Sequence, residues 1–387
     1  MTSSRLFTPL QIRGVELPNR VMVSPMCMYA STDGLADDYH LVHLGRFALG
    51  GAGLVMAEAT AVHSAGRISH QDLGLWNEDQ ARSLAPVVRF IGEHGAIPGI
   101  QLAHAGRKGS AQPAYEGGGP LVPDEPGRQP WPTVAPSAIA AGPGWQIPAA
   151  MTTRQIADSV RDWARAAERA AETGFRVIEL HGAHGYLLHS FVSPIANRRV
   201  DEYGGRLENR MRFPLEVVRA VRAAVGAENV LIYRVSVVDG VAAGWGEPDS
   251  VTFAKALRNA GVDVIDTSSG GITTDRSLDT RVRRGYAFHA EFSRSLRDAT
   301  KMPVATVGLI VDPQQAEAVL RHGDADLVVL GRELLDDPNW THHARRALGE
   351  EDWKSWHREA AVHLQARERA LARLEQQGET PMSRYAG

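Results

Sequence analysis

Short apolar segments alternate eight times with longer amphipathic segments, and this alternation constrains the fold more than any other feature. The short segments are typical of buried strands, and the longer ones carry apolar residues at helical spacing. We predict strands at Arg20–Ser24, Gly53–Ala57, Ile97–Leu102, Arg176–Leu180, Val230–Val235, Val262–Asp266, Val304–Val307 and Asp326–Leu330. We predict helices at Tyr39–Leu49, Glu78–His94, Thr153–Thr173, Asn209–Val225, Pro248–Ala260, Ala290–Ala299, Pro313–Arg321 and Pro338–Ala347, several of them opened by a cap residue such as Asn77, Thr152 or Asp312.

Eight strand–helix units, spaced by roughly 40 residues, predict an α/β protein with a (β/α)8 TIM barrel. A doubly wound sheet is the main alternative, but that fold usually has fewer units and a glycine-rich first turn. No G-x-G-x-x-G motif follows the first predicted strand. An α/β solenoid is the other alternative, and the chain lacks the consensus repeat that a solenoid would show.

Two segments interrupt or follow the alternation. Residues 107–150 are rich in proline and glycine and follow the third strand, so we expect a long loop over the mouth of the barrel. Trp131 and Trp145 argue against disorder there. We predict a catalytic barrel domain over residues 1–348 and a charged C-terminal helical extension over residues 349–387, which would dock on the barrel or on a neighbouring subunit.

Composition excludes several classes of protein. The chain has 42 basic and 45 acidic residues and a net charge of −3, so we expect no nucleic-acid partner and no anionic membrane partner. Its single cysteine, Cys27, rules out a disulfide within the chain and a Cys-rich zinc or iron–sulfur site. The first residues lack the apolar core of a signal peptide, and no run of about 18 apolar residues occurs. We therefore expect a cytoplasmic enzyme.

Two histidines and a tyrosine directly follow the fourth predicted strand, at the barrel end where chemistry is usually found. His181 and His184 can together hold one anionic oxygen, and Tyr186 can supply a proton. This set suits a reaction in which charge builds on a carbonyl oxygen and a carbon is then protonated. The histidines and Glu179 could instead bind Zn²⁺, so a metal-dependent lyase or isomerase stays open.

Residues at the other strand ends suit a heterocycle that carries a phosphate. The loops after strands seven and eight are the usual phosphate site of such barrels, and Gly308 and Gly331 there allow close backbone approach. Arg332 can add a charge-assisted contact. Gln101 offers an amide donor and acceptor to a pyrimidine-like edge, and Arg234 can stabilise negative charge on the ring. FMN is the candidate ligand.

Eight segments carry a family resemblance, and they occur in order up to about Leu348. They are Leu6-Phe7-Thr8-Pro9, Asn19-Arg20, Ser24-Pro25-Met26-Cys27-Met28-Tyr29, Gln101-Leu102-Ala103-His104-Ala105-Gly106-Arg107-Lys108, Ala135-Pro136-Ser137, His181-Gly182-Ala183-His184-Gly185-Tyr186, Asp201-Glu202-Tyr203-Gly204-Gly205 and Gly331-Arg332-Glu333-Leu334-Leu335. With these segments the chain resembles the Old Yellow Enzyme family of flavin oxidoreductases, in the bacterial branch that includes xenobiotic reductases.

The resemblance implies an FMN-dependent NAD(P)H:ene oxidoreductase that reduces activated C=C bonds of α,β-unsaturated carbonyl or nitro compounds. NADPH or NADH would be the reductant, and flavin N5 would deliver the hydride. His181 and His184 would bind the substrate oxygen, Tyr186 would donate the proton, and Tyr29 would contact the substrate. The FMN contacts that the resemblance implies are Pro25, Met26, Cys27, Ala59, Gln101, Arg234, Gly308, Gly331 and Arg332.

The resemblance also implies a homodimer or homotetramer. In that family the C-terminus often lends an arginine or aromatic side chain to a neighbouring site. Here a charged helix precedes Arg384 and Tyr385, which leaves the corresponding residue open. A flavin-binding sensor without catalytic activity is a further alternative.

Overall fold

Eight parallel strands close into a barrel, as the sequence predicts. The computed structural model describes residues 4–123, 128–275, 282, 284–350 and 353–383, so Arg384 and Tyr385 lie outside the described residues. The barrel strands, in chain order, are β1 Val21–Val23, β2 Leu54–Ala61, β3 Ile97–Ala103, β4 Val177–Gly182, β5 Val230–Ser236, β6 Val264–Ser268, β7 Val304–Thr306 and β8 Leu327–Leu330.

Eight helices follow these strands on the outside of the barrel. They are α1 Asp38–Leu49, α2 Glu78–Glu93, α3 Thr153–Thr173, α4 Leu207–Val225, α5 Glu247–Ala260, α6 Ala290–Thr300, α7 Pro313–Arg321 and α8 Trp340–Ala347. The three expected cap residues are confirmed, because the side chains of Asn77, Thr152 and Asp312 each accept a hydrogen bond from a backbone N–H in the first turn. A further helix, α9, spans Arg358–Gln376.

The sixth strand begins two residues later than predicted. Gly261 ends α5 in a left-handed conformation, and the backbone N–H of Val262 donates to the carbonyl of Leu257. Val262 therefore belongs to the helix terminus, although it is buried like a strand residue. Two short helices at the carboxyl ends of strands, Leu187–Val192 and Arg332–Asp336, are absent from the sequence prediction.

The interior of the barrel is apolar at one end and polar at the other. The apolar end is filled by Met22, Leu54, Met56, Val177, Val230, Ile232, Val264, Ala305, Leu327 and Val329. A two-stranded antiparallel ribbon, Leu10–Ile12 with Val15–Leu17, packs against this cluster and closes that end. The carboxyl ends of the strands instead carry Gln101, Glu179, His181, Arg234 and Asp266, all buried.

The described residues of the long segment after β3 contact the loops at the carboxyl ends of the strands. It contains a two-stranded parallel sheet, Val134–Ala135 with Ala149–Ala150. The guanidinium of Arg107 donates to the carbonyls of Ile139, Ala140 and Ile272, which ties the segment to the loop after β6. Trp131 donates through its indole nitrogen to the carbonyl of Ala65.

The C-terminal helix α9 is largely exposed, with Ala361 as its buried residue. Among the described residues, none of the helices combines the length and apolar character needed to cross a membrane.

Candidate active site

The turn after β4 places two histidines and a tyrosine at the mouth of the barrel. His184 and Gly185 both have left-handed backbone conformations, with φ of 58° and 76°. A Cβ atom at position 185 would lie 2.3 Å from the carbonyl oxygen of Gly271, and one at position 271 would lie 2.7 Å from Cα of His184. The turns after β4 and β6 therefore pack backbone to backbone, which requires glycine at both positions.

His181 and His184 face each other edge to face. Nε2 of His181 lies 3.4 Å from Nδ1 of His184, and Nε2 of His184 lies 2.6 Å from the hydroxyl of Ser268. The ring of Tyr186 lies 4.9 Å from the ring of His181. Nδ1 of His181 is buried without a hydrogen-bond partner in the described part of the chain. The three side chains thus form one cluster, and Nδ1 of His181 in it can still bind a hydrogen-bond partner.

Burial keeps this cluster uncharged. It lowers the pKa of His181 and of His184 well below the usual value, and the nearby guanidinium of Arg234 lowers both further. It also raises the pKa of Tyr186 well above the usual value. At neutral pH both imidazoles are therefore neutral and the phenol is protonated, so the cluster can donate hydrogen bonds and a proton without a counter-ion.

Two sets of polar contacts support the turn from behind. The ammonium of Lys108 donates to the carbonyls of His184 and Gly271, at 2.8 and 2.9 Å. The backbone N–H of Gly185 donates to Nδ1 of His189, whose Nε2 lies 2.9 Å from a carboxylate oxygen of Asp239. Sequence reasoning missed the last two residues, since a histidine within the apolar run 187–192 is the only local signal.

The polar layer inside the barrel is set by strand register. Residues paired in register on neighbouring parallel strands point to the same face, so Ala59, Gln101 and Glu179 share the interior face. His181, Arg234 and Asp266 share it by the same argument on β4, β5 and β6. Gln101 donates from Nε2 to Oε1 of Glu179 at 2.5 Å, and Nε of Arg234 lies 3.2 Å from Oδ2 of Asp266.

The segment after β1 is held over this layer by Glu58. The Glu58 side chain accepts from the backbone N–H of Met28 at 3.0 Å, beside Tyr29, which has a left-handed φ of 55°. The pairing of β2 with β3 is irregular at Glu58, and such bulges often redirect side chains near active sites. Burial raises the pKa of the Cys27 thiol, and the carboxyl of Asp72 raises it further. Cys27 is therefore a thiol at neutral pH.

Two adjoining cavities open at the ends of β6, β7 and β8. One, of about 410 Å³, is lined by Met26, Gly308, Gly331 and Arg332 among others. The second, of about 610 Å³, is lined by His184 and again by Arg332. The two cavities share part of their lining, so they connect the glycine loops with the histidine cluster.

The structure brings every residue predicted for the site to one end of the barrel. Met26, Gly308, Gly331 and Arg332 line the first cavity, whereas Ala59, Gln101, His181 and Arg234 belong to the interior layer. Pro25, Cys27 and Tyr29 lie in the segment that Glu58 holds, and Arg234 lies 3.5 Å from the hydroxyl of Ser24 at its start. The roles of these residues remain predictions.

Comparison with known proteins identifies the family to which the chain belongs. Residues 5–351 match the model of the NADH:flavin oxidoreductase / NADH oxidase family. The chain belongs to this family. The resemblance to the Old Yellow Enzyme family is thereby confirmed, and the protein is an NAD(P)H-dependent flavin oxidoreductase with FMN as its flavin.

Relatives and solved structures agree with the family. The NADPH dehydrogenase of Bacillus cytotoxicus is 42% identical over 349 residues, which cover 90% of this chain and 94% of the relative. The NADPH dehydrogenase of Listeria monocytogenes is 42% identical over 90% of this chain and 96% of the relative. The structure of morphinone reductase has a TM-score of 0.73 at 27% identity, covering 89% of this chain and 90% of that one.

The residues of the flavin oxidoreductase fit FMN. Nε of Arg234 is buried without a hydrogen-bond partner in the described chain, although a carboxylate lies nearby, so it can bind a further acceptor. Gln101 and Arg234 would hold the ring. Gly308, Gly331 and Arg332 would hold the phosphate, because a cavity bordered by two glycines and a guanidinium suits an anion.

The metal-dependent alternative would need Glu179 as a third ligand beside the two histidines. Glu179, the third ligand in that alternative, bonds to Gln101. Among the residues that the structure describes, no three His, Cys, Asp or Glu side chains are grouped so that they could hold a metal ion.

The contact between the two turns gives the first prediction. Phenol serves as a probe of the His181 and His184 pair in the flavin oxidoreductase. Gly185→Ala should weaken phenol binding at least tenfold, because the methyl group would push the His184 turn away from Gly271. Gly95→Ala is the matched control, since Gly95 has a similar φ of 80° and no atom within 4 Å of an added Cβ. Both variants should lose about 1 kcal/mol or more of stability from the left-handed conformation. Equal phenol affinities in the two variants, measured by spectral titration, would contradict the prediction.

Proposed function

We propose that this flavin oxidoreductase is an ene-reductase that uses NAD(P)H to reduce the activated C=C bonds of α,β-unsaturated carbonyl or nitro compounds. The observation that carries the proposal is the neutral cluster of His181, His184 and Tyr186 beside the layer that fits FMN. Neutral donors suit an uncharged enone, and a protonated phenol suits the final proton transfer. When bound, FMN would supply, at N5, the hydride chemistry that links NAD(P)H to the substrate β-carbon.

The two histidines bind the substrate oxygen. Their mutual contact of 3.4 Å is too long for a strong hydrogen bond, so an incoming oxygen can replace it at little cost. In the tautomer that we propose, Nε2 of His184 accepts from the Ser268 hydroxyl, 2.6 Å away, and Nδ1 carries the proton. As negative charge grows on the oxygen, these N–H groups stabilise it in a site of low dielectric, where one such donor is typically worth about 10²–10³ in rate.

Tyr186 completes the reaction by protonating the α-carbon. One hydride and one proton then add across the double bond, and the phenolate regains its proton from solvent. The ammonium of Lys108 lies 5.5 Å from the centre of the Tyr186 ring and stabilises the phenolate while it exists.

We also propose that residues 1–348 form the catalytic domain and that residues 349–387 mediate assembly into a homodimer or homotetramer in the cytoplasm. The support is a set of exposed apolar side chains on α9, namely Val362, Leu371 and Leu374. Sedimentation equilibrium of the full chain and of a chain ending at Leu348 tests the assembly. An unchanged oligomer after truncation would contradict it.

An anaerobic titration tests the proposed function. NADPH should bleach the flavin absorbance, and subsequent addition of cyclohexenone should restore it with formation of cyclohexanone. Bleaching without recovery on a panel of enones and nitroalkenes would refute the ene-reductase proposal. Flavin that NADPH and NADH both fail to bleach would favour the sensor alternative.

Replacement of both histidines tests the oxygen site. His181→Ala with His184→Ala should leave a folded, yellow protein that binds phenols at least 100-fold more weakly and reduces cyclohexenone slowly. The exposed pair His322→Ala with His363→Ala is the matched control and should behave like wild type. Phenol binding is followed as a long-wavelength charge-transfer band, and an intact band in the site variant would show that the oxygen binds elsewhere.

Replacement of the tyrosine tests the proton donor. Tyr186→Phe should slow enone reduction by about 10²–10⁴ and leave flavin reduction by NADPH nearly unchanged, because that half-reaction needs no proton from the phenol. Nitroalkenes should suffer less, since a nitronate can leave and take its proton from water. Because the pKa of Tyr186 is raised, the phenol stays protonated as pH rises, so its contribution should not decline between pH 7 and 10.

Stopped-flow measurements of the two half-reactions check this prediction, with Tyr39→Phe on α1 as the matched control. Equal losses in both half-reactions of Tyr186→Phe would assign Tyr186 a structural role instead.

A further inference from the structure

The polar layer contains one more acid than base. Interior layers of such barrels are usually made of apolar residues, as the opposite end of this barrel is. Here Glu179 and Asp266 are both fully buried, and one guanidinium, that of Arg234, accompanies them. A buried charge without a partner is strongly destabilising, so the second carboxyl needs a specific explanation.

The two carboxyls have different partners. Asp266 lies in register with Arg234 on the neighbouring strand and forms the ion pair described above. Glu179 lies in register with Gln101 and accepts its amide hydrogen at 2.5 Å. The other oxygen of Glu179 is buried without a hydrogen-bond partner among the described residues. Glu179 is therefore linked to the site through Gln101.

The charges around Glu179 favour its protonated form. Burial raises the pKa of Glu179, and the carboxylate of Asp266 on β6 raises it further, whereas Arg234 on β5 and the Gln101 hydrogen bond lower it. Burial also raises the pKa of Asp266, and Arg234 opposes that shift. The remaining titratable neighbour on the same strand, His181, is neutral. The negative charge therefore stays on Asp266, paired with Arg234, and Glu179 holds the proton at neutral pH.

The bond from Gln101 to Glu179 also fixes the direction of the amide. Oε1 of Glu179 accepts from Nε2 of Gln101, which places the Glu179 proton on Oε2 and leaves the amide oxygen and the second amide hydrogen of Gln101 available to a ligand. The pyrimidine edge of a flavin carries an N–H between two carbonyl groups. An amide oxygen would accept from the N–H, whereas an amide nitrogen would donate to a carbonyl. We propose that Glu179 is a positioning residue for FMN, which acts through its hydrogen bond with Gln101 to fix the end of the amide that meets the flavin ring.

The inference rests on FMN binding and is independent of the substrate, so it can fail while the ene-reductase proposal holds. Its test is a double-mutant cycle with two readouts. The affinity of the apoprotein for FMN is measured by quenching of flavin fluorescence, and the midpoint potential of the bound flavin is measured at neutral pH. Neither readout involves turnover.

Glu179→Met removes the acceptor at similar volume and should weaken FMN binding between about threefold and tenfold. Gln101→Ala should weaken it at least as much, and the double variant should bind no worse than Gln101→Ala, because Glu179 acts on FMN only through Gln101. Glu179→Gln keeps an oxygen at the same place and should restore both the affinity and the potential. Glu317→Gln, at a buried carboxylate in α7 that lines neither cavity, is the control and should change neither.

A second comparison holds even if Glu179→Met does not fold. Glu179→Asp keeps the carboxyl but is one methylene shorter, so it should lose more FMN affinity than Glu179→Gln. The inference would be overturned by additive losses in the double variant, by wild-type affinity in Glu179→Met, or by Glu179→Gln being weaker than Glu179→Asp.

Discussion

The ion pair between Arg234 and Asp266 allows a charged layer to exist inside the barrel. Both side chains are buried, and they lie in register on neighbouring strands, so each is the partner of the other. Removal of either one would leave an unpaired buried charge, which typically costs about 3–5 kcal/mol. The apolar cluster at the opposite end of the barrel fills its interior by packing, so the polar end can be devoted to ligand binding.

Burial then decides the protonation of the site. The low dielectric of the interior makes an unpaired charge on Arg234 costly. It also keeps His181 and His184 neutral and Tyr186 protonated. The cluster holds hydrogen-bond donors and one proton in place without a charge that would have to be balanced. Lys108 fixes its backbone through the carbonyls of His184 and Gly271, so the donors are positioned before a substrate binds.

The sequence predicted the barrel because each strand and helix has a strong local pattern. It also predicted which side chains lie together at one end of the barrel, since topology alone brings the strand ends together. The sequence placed the start of β6 two residues too early. Val262 is buried like a strand residue, although its backbone N–H completes the end of α5. His189 and Asp239 were missed for another reason. They are 50 residues apart in the chain, and the local sequence around either one does not indicate that it contacts the other.

In the proposed mechanism, both histidines hold one substrate oxygen beside the flavin. A crystal structure of the FMN-loaded protein with a bound phenol tests this arrangement. We expect the phenol oxygen within about 3.2 Å of a ring nitrogen of His181 and of His184, with Tyr186 beside the phenol ring. A phenol oxygen bound instead to Lys108 or to Arg332, with both histidines still in contact with each other, would contradict the proposed mechanism.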